Sequence, residues 1–405
     1  MRRVLKTALK VAIVLLLSLP VVLAVLVRYT DGTISGGGLI VLGYDEEAGR
    51  FQLFEEKRYD FHGVDGPYVV ADSVYTVDAT STLHRRLHTS DTLLVRVDNA
   101  ARDSFTVQLR DTHPPDGLVY PVPDTLLAVS DIEGNFEAFV GLLHAHGVID
   151  ASFNWRFGRG HVVLLGDFVD RGSDVLPTLW LIYRLEQQAQ EARGHVHFIL
   201  GNHEAMNLHG NGRYARPKYI RAALEIGGSG DRRQDLRRLF AADTELGRWL
   251  RSKAVMKKIG RDLYVHAGLS PALAANQLSL DEVNALARPH LDDPTLYSTP
   301  GDTPRAHLVM GRQGPLWYRG LVQDYKEHYT RVTPDVLSTT LAFYDAQRVV
   351  IGHTLVERVS TDFEGRVIRI DVKHGTERAS PETQGLLLLG GVPYRIDALG
   401  RVEAL

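Results

Sequence analysis

Five short apolar runs beyond residue 123 each lead into a residue that can bind a metal ion. These residues are Asp131, Asp167, Asn202, His266 and His353. Carboxylate, amide and imidazole ligands without thiolate suit manganese, iron, zinc or magnesium. A bridging carboxylate with ligands from several strands is typical of two ions about 3.5–4 Å apart. The residue types therefore indicate a two-metal centre that several separate segments build together.

The runs that precede these residues have the length and composition of β-strands. They cover residues 126–130, 162–166, 196–201, 263–265 and 349–352. Helical patterns lie between them, the first over residues 135–146 with Asn135 as its N-cap. This alternation predicts a layered α/β/α domain over residues 123–405. Because strands deliver their carboxyl ends to a common edge, we expect the five residues to meet there.

Two segments precede this domain. Residues 31–122 contain short β-type runs separated by turn residues, which predicts a small antiparallel β module without assigned chemistry. Residues 11–27 form an uncharged apolar run that follows four basic residues. As a helix this run would reach about 26 Å, the short end of a bilayer span.

The basic flank of this run should stay in the cytoplasm. We therefore predict that residues 1–30 are a membrane anchor and that the rest of the chain lies outside the cytoplasm, periplasmic or extracellular. The alternative is a signal peptide cleaved near Ala24, which would give a secreted protein.

Composition excludes several other classes of protein. The chain has 405 residues, of which 44% are apolar and 23% charged, enough to build a sizeable core. It contains no cysteine, which excludes disulfides, zinc fingers and every cysteine nucleophile. The net charge of −3 gives no basic field, which argues against a nucleic-acid partner. The sequence does not determine the oligomeric state.

Longer motifs surround the ligand-type residues and resemble those of a known family. They are Gly166–Gly172 (GDFVDRG), Gly201–Glu204 (GNHE), His266–Leu269 (HAGL) and Gly352–Thr354 (GHT). In this order they are similar to the signature of the calcineurin-like metallophosphoesterases, and within them of the PPP phosphoprotein phosphatases. Residues 201–208, running on to Arg213 and Tyr214, and residues 315–319 resemble the Shewanella-like protein phosphatases in particular. The resemblance spans roughly residues 125–390.

The resemblance implies a role for each motif residue. Asp131 and Asp167 would bind the first metal ion, with Asp167 bridging to a second ion held by Asn202, His266 and His353. A water bridging the ions would attack the phosphate. His203 would protonate the leaving group, with Asp170 orienting its ring. Arg171 and Arg319 would bind the phosphate oxygens.

A further motif, residues 130–135 (SDIEGN), surrounds Asp131 and differs from the family pattern at Glu133, where the family has histidine. Two interpretations follow. Glu133 either ligates through oxygen, which favours manganese or magnesium over iron, or misses the metal and leaves a weak first site. We predict that it is a ligand, and that the cofactors are two divalent ions, manganese before iron, zinc or magnesium.

The implied activity is metal-dependent hydrolysis of phosphomonoesters. The substrate would be a phosphorylated serine, threonine or tyrosine of a protein, or a small phosphoester. One alternative is a hydrolase of nucleotide or dinucleotide polyphosphates. Another is a non-catalytic phosphate-binding module with a degenerate first metal site. The His203 and Asp170 pair argues against the last alternative, because a binding module needs no general acid.

Overall fold

The computed structural model describes residues 33–35, 40–45, 50–55, 59–293, 304–325 and 328–405. This chain forms two compact units that divide near residue 60. None of the helices in the described ranges has both the length and the apolar character needed to cross a membrane. The predicted membrane anchor at residues 1–30 lies outside the described residues.

The first unit contains a three-stranded antiparallel sheet in the order β1-β2-β3. Its strands are β1 (Thr33–Ser35), β2 (Ile40–Asp45) and β3 (Arg50–Glu55). Register pairs Ile34 with Leu42 and Leu42 with Leu53. These strands agree with the β-type character predicted for residues 31–122.

The second unit begins with two further antiparallel elements. Strands β4 (Asp65–Val70), β5 (Ser73–Val77) and β6 (Leu83–Leu87) form one sheet, and β7 (Thr92–Arg96) and β8 (Ser104–Gln108) form a hairpin. Arg110 pairs with Glu186 at 3.2 Å, and Lys218 pairs with Asp65 at 3.3 Å. Residues 61–122 therefore pack within the same compact unit as the following domain. That residues 31–122 are a separate module stays a prediction.

The remaining elements alternate strands and helices. In chain order they are β9 (Val119–Tyr120), β10 (Thr125–Val129), α1 (Phe136–Ala145), β11 (His161–Leu164), α2 (Val175–Glu191), β12 (His195–Phe198), α3 (Asn202–Leu208), α4 (Pro217–Gly227), α5 (Arg232–Leu239), α6 (Glu245–Arg251), β13 (Met256–Ile259), β14 (Asp262–Val265), α7 (Pro271–Ala275), α8 (Leu280–Ala287), a 3₁₀ turn (Arg288–His290), α9 (Pro304–Met310), α10 (Pro334–Phe343), β15 (Arg348–Ile351), β16 (Ser360–Asp362), β17 (Val367–Arg369), β18 (Gln384–Leu389), β19 (Val392–Asp397) and β20 (Val402–Ala404). Asn135 caps α1 by accepting a hydrogen bond from the Ala138 amide at 3.1 Å. The strands and the helix predicted from the sequence are confirmed.

Two six-stranded mixed sheets form the centre of this unit. Their strand orders are β12-β11-β10-β18-β19-β20 and β16-β17-β15-β14-β13-β9. Buried residues of both sheets form one apolar cluster, for example Val163 and Leu386 of the first with Tyr264 and Val350 of the second. The predicted α/β fold class is confirmed, and its strands form two sheets.

The strand directions bring the predicted ligands together. Strands β10, β11 and β12 run parallel in one sheet, and β14 and β15 run parallel in the other. The loops after these strands are joined by hydrogen bonds. The Asp131 amide donates to the Gly166 carbonyl at 3.0 Å, and the Gly352 amide donates to the His266 carbonyl at 2.7 Å. The His353 amide, at the end of the second sheet, donates to Asp131 Oδ2 of the first at 3.0 Å.

Candidate active site

Four ligand atoms from four loops converge on one point. Nε2 of His266 lies 3.2 Å from Asp167 Oδ2, 3.0 Å from Asn202 Oδ1 and 3.2 Å from His353 Nδ1. Nδ1 of His266 donates to the Leu165 carbonyl at 2.6 Å, so in the neutral ring Nε2 presents a lone pair. Lone pairs this close repel each other unless a cation lies between them. The arrangement therefore fits a divalent metal ion with nitrogen and oxygen ligands.

The charges of these buried groups lead to the same conclusion. Burial lowers the pKa of His266, but the carboxylates of Asp167 and Asp131 outweigh it and raise that pKa to about 9. Burial raises the pKa of Asp167, yet His266 and His203 lower it to about 2. The geometry also allows Asp167, His266 and His353 to contact one ion together. The site thus favours added positive charge, which a metal ion would supply.

Asp131 lies at the edge of this group. The residue is 8% exposed. Burial raises the pKa of its carboxyl group to about 6, because the nearby carboxylate of Asp167 adds to this effect and His266 only partly opposes it. One carboxylate oxygen is already bonded to the His353 amide. The residue is therefore adjacent to the donors around His266, as a ligand of a neighbouring ion would be.

Strained backbone is concentrated in these loops. Six site residues adopt left-handed backbone conformations with φ between 51° and 69°, namely Asp131, Glu133, Asp167, Asp170, Arg171 and His353. Such conformations cost on the order of 1–3 kcal/mol each and are found preferentially at functional sites. The surrounding fold holds these residues where local preference would not, which is the pattern of a functional centre.

The loops after β11 and β12 are in direct contact. A side chain at Gly166 would lie 2.4 Å from the Gly201 amide nitrogen, and one at Gly201 would lie 2.1 Å from Asp167 Oδ1. Glu204 links both loops, since its carboxylate accepts hydrogen bonds from the amides of Gly201, Asp167 and Phe168, each at 2.8 Å. Glu204 had no predicted role, although it is part of the GNHE motif.

His203 and Asp170 lie together beside the metal ligands. His203 Nδ1 is 2.7 Å from Asp170 Oδ2, and Asn207 donates to the other Asp170 oxygen at 3.0 Å. Nε2 of His203 lies 3.8 Å from Asp167 Oδ2. Burial lowers the pKa of His203, but Asp167 and Asp170 raise it to about 9. The ring can therefore carry a proton at neutral pH and present it towards the ligands.

The two predicted phosphate-binding arginines flank the site. Arg319 donates to the His353 carbonyl at 2.9 Å and to Thr354 Oγ1 at 3.3 Å. The Arg171 guanidinium, 40% exposed, forms an ion pair with the carboxylate of Glu133. The Arg171 amide also donates to the Tyr214 carbonyl at 3.0 Å, and the Tyr214 ring lies 4.9 Å from that of His203. Tyr214, which belongs to a stretch that carries the family resemblance but has no predicted role, is thus a neighbour of the site.

Glu133 is the predicted metal ligand whose carboxylate has another partner. Its side chain, 25% exposed, is paired with Arg171, and it is not one of the residues that can contact a common ion with His266. Its role as a ligand stays a prediction. As placed, Glu133 forms an ion pair with one of the two arginines that are predicted to bind phosphate.

Comparison with known proteins supports the same chemistry. The profile of the calcineurin-like phosphoesterase family matches residues 124–357, more than half of the chain. An uncharacterized protein of Schizosaccharomyces pombe is 30% identical over 62% of this chain and 73% of its own length. Shewanella-like protein phosphatase 1 of Plasmodium berghei is 27% identical over 56% of this chain and 60% of its own. The chain thus spans less than two thirds of the length of this named relative.

Solved structures extend the similarity beyond the matched domain. The cold-active protein-tyrosine phosphatase of a psychrophilic Shewanella species is 31% identical with a TM-score of 0.72, and the match covers 84% of this chain and 99% of that one. A mutant form of a cold-active protein tyrosine phosphatase is 32% identical with a TM-score of 0.73 over the same shares of both chains. With the converging ligands and the His203 and Asp170 pair, these matches establish that the chain belongs to the calcineurin-like phosphoesterase family and is a metal-dependent enzyme that hydrolyses phosphoesters.

Proposed function

We propose that the enzyme is a phosphoprotein phosphatase that removes phosphate from phosphorylated side chains of proteins. The observation that carries the proposal is one edge where buried carboxylate, amide and imidazole side chains lie with the hydrogen-bonded pair of His203 and Asp170 and with two arginines. The relatives named as protein phosphatases, and the similar protein-tyrosine phosphatase structure, support a protein substrate. Either a phosphotyrosine or a phosphoserine side chain presents the phosphomonoester that such a site can hold.

Two divalent cations are the proposed cofactors. Asp131 and Asp167 would hold the first ion, and Asp167, Asn202, His266 and His353 the second. When bound, the ions would activate a water molecule and neutralise charge on the phosphate. Manganese is our first choice, because three of the five proposed ligands are oxygens, which favour a hard ion. Iron, zinc and magnesium are the alternatives that the same ligands could hold.

The side chains of this protein would carry out the remaining tasks. Arg171 and Arg319 would bind phosphate oxygens, since guanidinium matches their geometry and charge. His203 would donate its Nε2 proton to the departing side-chain oxygen. Asp170, bonded to Nδ1, would keep the ring oriented and stabilise its protonated form.

A substrate panel with the purified full-length chain tests this proposal. The substrates are a phosphotyrosine peptide, a phosphoserine peptide, an aryl phosphate and diadenosine tetraphosphate, each assayed with added manganese, magnesium, iron or zinc. We expect hydrolysis of a phosphopeptide, fastest with manganese. Turnover of the dinucleotide alone would replace our proposal with a polyphosphate hydrolase.

We also propose that residues 1–30 anchor the protein in a membrane with the catalytic domain outside the cytoplasm. The support is the apolar run at residues 11–27 behind four basic residues. A C-terminal reporter that works only outside the cytoplasm should be active. A signal from a cytoplasm-only reporter would refute this location, and N-terminal sequencing of the mature protein would distinguish an anchor from a cleaved signal peptide.

A further inference from the structure

Asn207 lies one helical turn after His203, the proposed general acid. Both residues belong to helix α3, and side chains four residues apart share one face of a helix. Because helical side chains lean towards the N-terminus, the Asn207 amide lies over the turn that carries His203. Its Nδ2 donates to the His203 carbonyl at 2.9 Å. Asn207 is therefore bonded to the backbone of the residue that would transfer the proton.

The same nitrogen also reaches the partner of His203. Nδ2 of Asn207 donates to Asp170 Oδ1 at 3.0 Å, while Asp170 Oδ2 lies 2.7 Å from His203 Nδ1. A side-chain amide carries two protons on its nitrogen, so both are used here. In the reversed orientation the amide oxygen would face two acceptor oxygens, which excludes that orientation. Asn207 thus closes a ring of hydrogen bonds that contains Asp170 and His203.

The carboxylate of Asp170 needs more than one bond to hold its plane. It belongs to the loop after β11, a different segment from α3, and rotation about the last bond of an aspartate side chain is only weakly restricted. Among the described residues, its two oxygens have one side-chain partner each, His203 and Asn207.

Burial makes the bond from Asn207 hard to replace. Asp170 is 2% exposed and His203 is 3% exposed, so solvent water has little access to a carboxylate oxygen that loses its donor. A buried carboxylate oxygen without a donor is costly. Without the Asn207 amide, the carboxylate would therefore turn towards other donors and away from His203 Nδ1.

We propose that Asn207 is a positioning residue for proton transfer to the leaving group. Its amide fixes the plane of the Asp170 carboxylate, which in turn holds His203 Nδ1 so that Nε2 faces the leaving group. This inference rests on the roles of His203 and Asp170 in the proposed function. Asn207 acts on the step in which the proton moves, whereas other residues bind the phosphate and the metal ions.

The rates of full-length Asn207→Ala on two small phosphoesters, with added Mn²⁺, test the proposal. An alkyl phosphate has a leaving group that needs a proton, whereas that of p-nitrophenyl phosphate needs little. We expect kcat on the alkyl phosphate to fall about 10–100-fold. On p-nitrophenyl phosphate kcat should fall less than about threefold. KM should stay within about twofold of the wild type on both esters, because phosphate binding is unchanged.

Asn276→Ala is the matched control. Asn276 makes the same kind of bond four residues back, to the Ala272 carbonyl at 2.8 Å, without a carboxylate partner among the described residues. Its rates should match those of the wild type. Asn207→Leu is the second variant, because it removes the donor, has a similar branched shape and favours a helix. It should show the same losses even if Asn207→Ala fails to fold.

A double-mutant cycle with His203→Ala distinguishes positioning from a general loss of structure. If Asn207 acts through His203, its replacement should cost less than about threefold in kcat once His203 is already alanine. The full loss in that background, equal losses of Asn207→Ala on both esters, or wild-type rates would overturn the inference. Equal losses of His203→Ala on both esters would instead show that His203 is not the general acid of the proposed function, and Asn207 would then have no proton transfer to support.

Discussion

At the scale of single residues, the buried pair of His203 and Asp170 supports a prediction about proton transfer to the leaving group. Nδ1 of His203 faces Asp170 and Nε2 faces the metal ligands, so one nitrogen is held and the other is free to donate. We expect His203→Ala to keep its metal ions and to lose about 10²–10⁴-fold in kcat, as for a lost general acid. The loss should be smaller on p-nitrophenyl phosphate, whose leaving group needs little protonation, than on an alkyl phosphate.

His146→Ala is a suitable control, since His146 ends helix α1 and is bonded to the Asp397 carbonyl away from the site. Its rates should match those of the wild type. Equal losses for His203→Ala on good and poor leaving groups would contradict the role of His203 as general acid.

The pairing of Glu133 with Arg171 supports a second residue-scale prediction. The carboxylate of Glu133 competes with phosphate for a partly exposed guanidinium. Such ion pairs contribute about 0.2–1 kcal/mol. If Glu133 acts only on Arg171, Glu133→Ala should therefore lower the inhibition constant of inorganic phosphate by about 1.4–5-fold and keep both metal ions. Elemental analysis and product inhibition measure the two quantities. If Glu133 is the ligand that the sequence suggests, the variant should instead lose one ion.

At the scale of elements, Glu204 of the short helix α3 joins the loop after β11 to the loop after β12. Its carboxylate accepts three buried amide protons at 2.8 Å, two of them from the loop after β11. The amide group of Glu204→Gln has one acceptor oxygen, so at least one donor loses its partner at a cost of about 1–3 kcal/mol. We expect a lower free energy of unfolding in urea and weaker binding of the ion that Asp167 and Asn202 share.

Glu225→Gln in helix α4 provides the comparison for this prediction. Glu225 pairs with Arg221 four residues earlier on the helix surface, where such a pair contributes about 0.3–0.5 kcal/mol. Its replacement should leave metal binding unchanged. If Glu204→Gln is as stable as Glu225→Gln and binds metal equally well, Glu204 does not hold the loops together.

At the scale of the whole molecule, a buried histidine cluster lies where the two large sheets meet. His161 and His197 of the first sheet are bonded at 3.0 Å, and the ring of Tyr120 from the second sheet lies 4.4 Å from that of His197. Burial, then the neighbouring His195, lowers the pKa of His161 to about 4. Burial, then nearby Lys257, lowers the pKa of His197 well below its usual value.

These lowered pKa values predict that acid weakens the packing between the two sheets. The unfolded chain takes up protons at its histidines near pH 6.5, whereas the folded chain resists them until about pH 4. The contribution of the cluster to stability is therefore complete above about pH 6.5 and decreases as the pH falls towards 4. His197→Gln should reduce the difference in unfolding free energy between pH 7.5 and pH 5.0. His144→Gln is the control, because its side chain is exposed. If the unfolding free energy of His197→Gln changes with pH as much as that of the wild type and of His144→Gln, the prediction is wrong.

Much of the site was predictable from the sequence because its signals are local. A run of Val, Leu and Ile that ends in Asp, Asn or His carries both the strand and the ligand within a few residues. Five such runs predicted strands β10, β11, β12, β14 and β15, and the structure brings the residues that follow them to one edge.

Only the tertiary structure decided which groups face each other. The pattern of strands cannot tell which of them share a sheet, so the second sheet, and the pairing of β9 with β13, came from the fold. A side chain's partner depends on which loops pack together. For that reason the sequence alone suggested Glu133 as a metal ligand, whereas only the structure shows that its carboxylate pairs with Arg171. The sequence thus determined the chemistry available at this edge, and long-range packing determined how that chemistry is arranged.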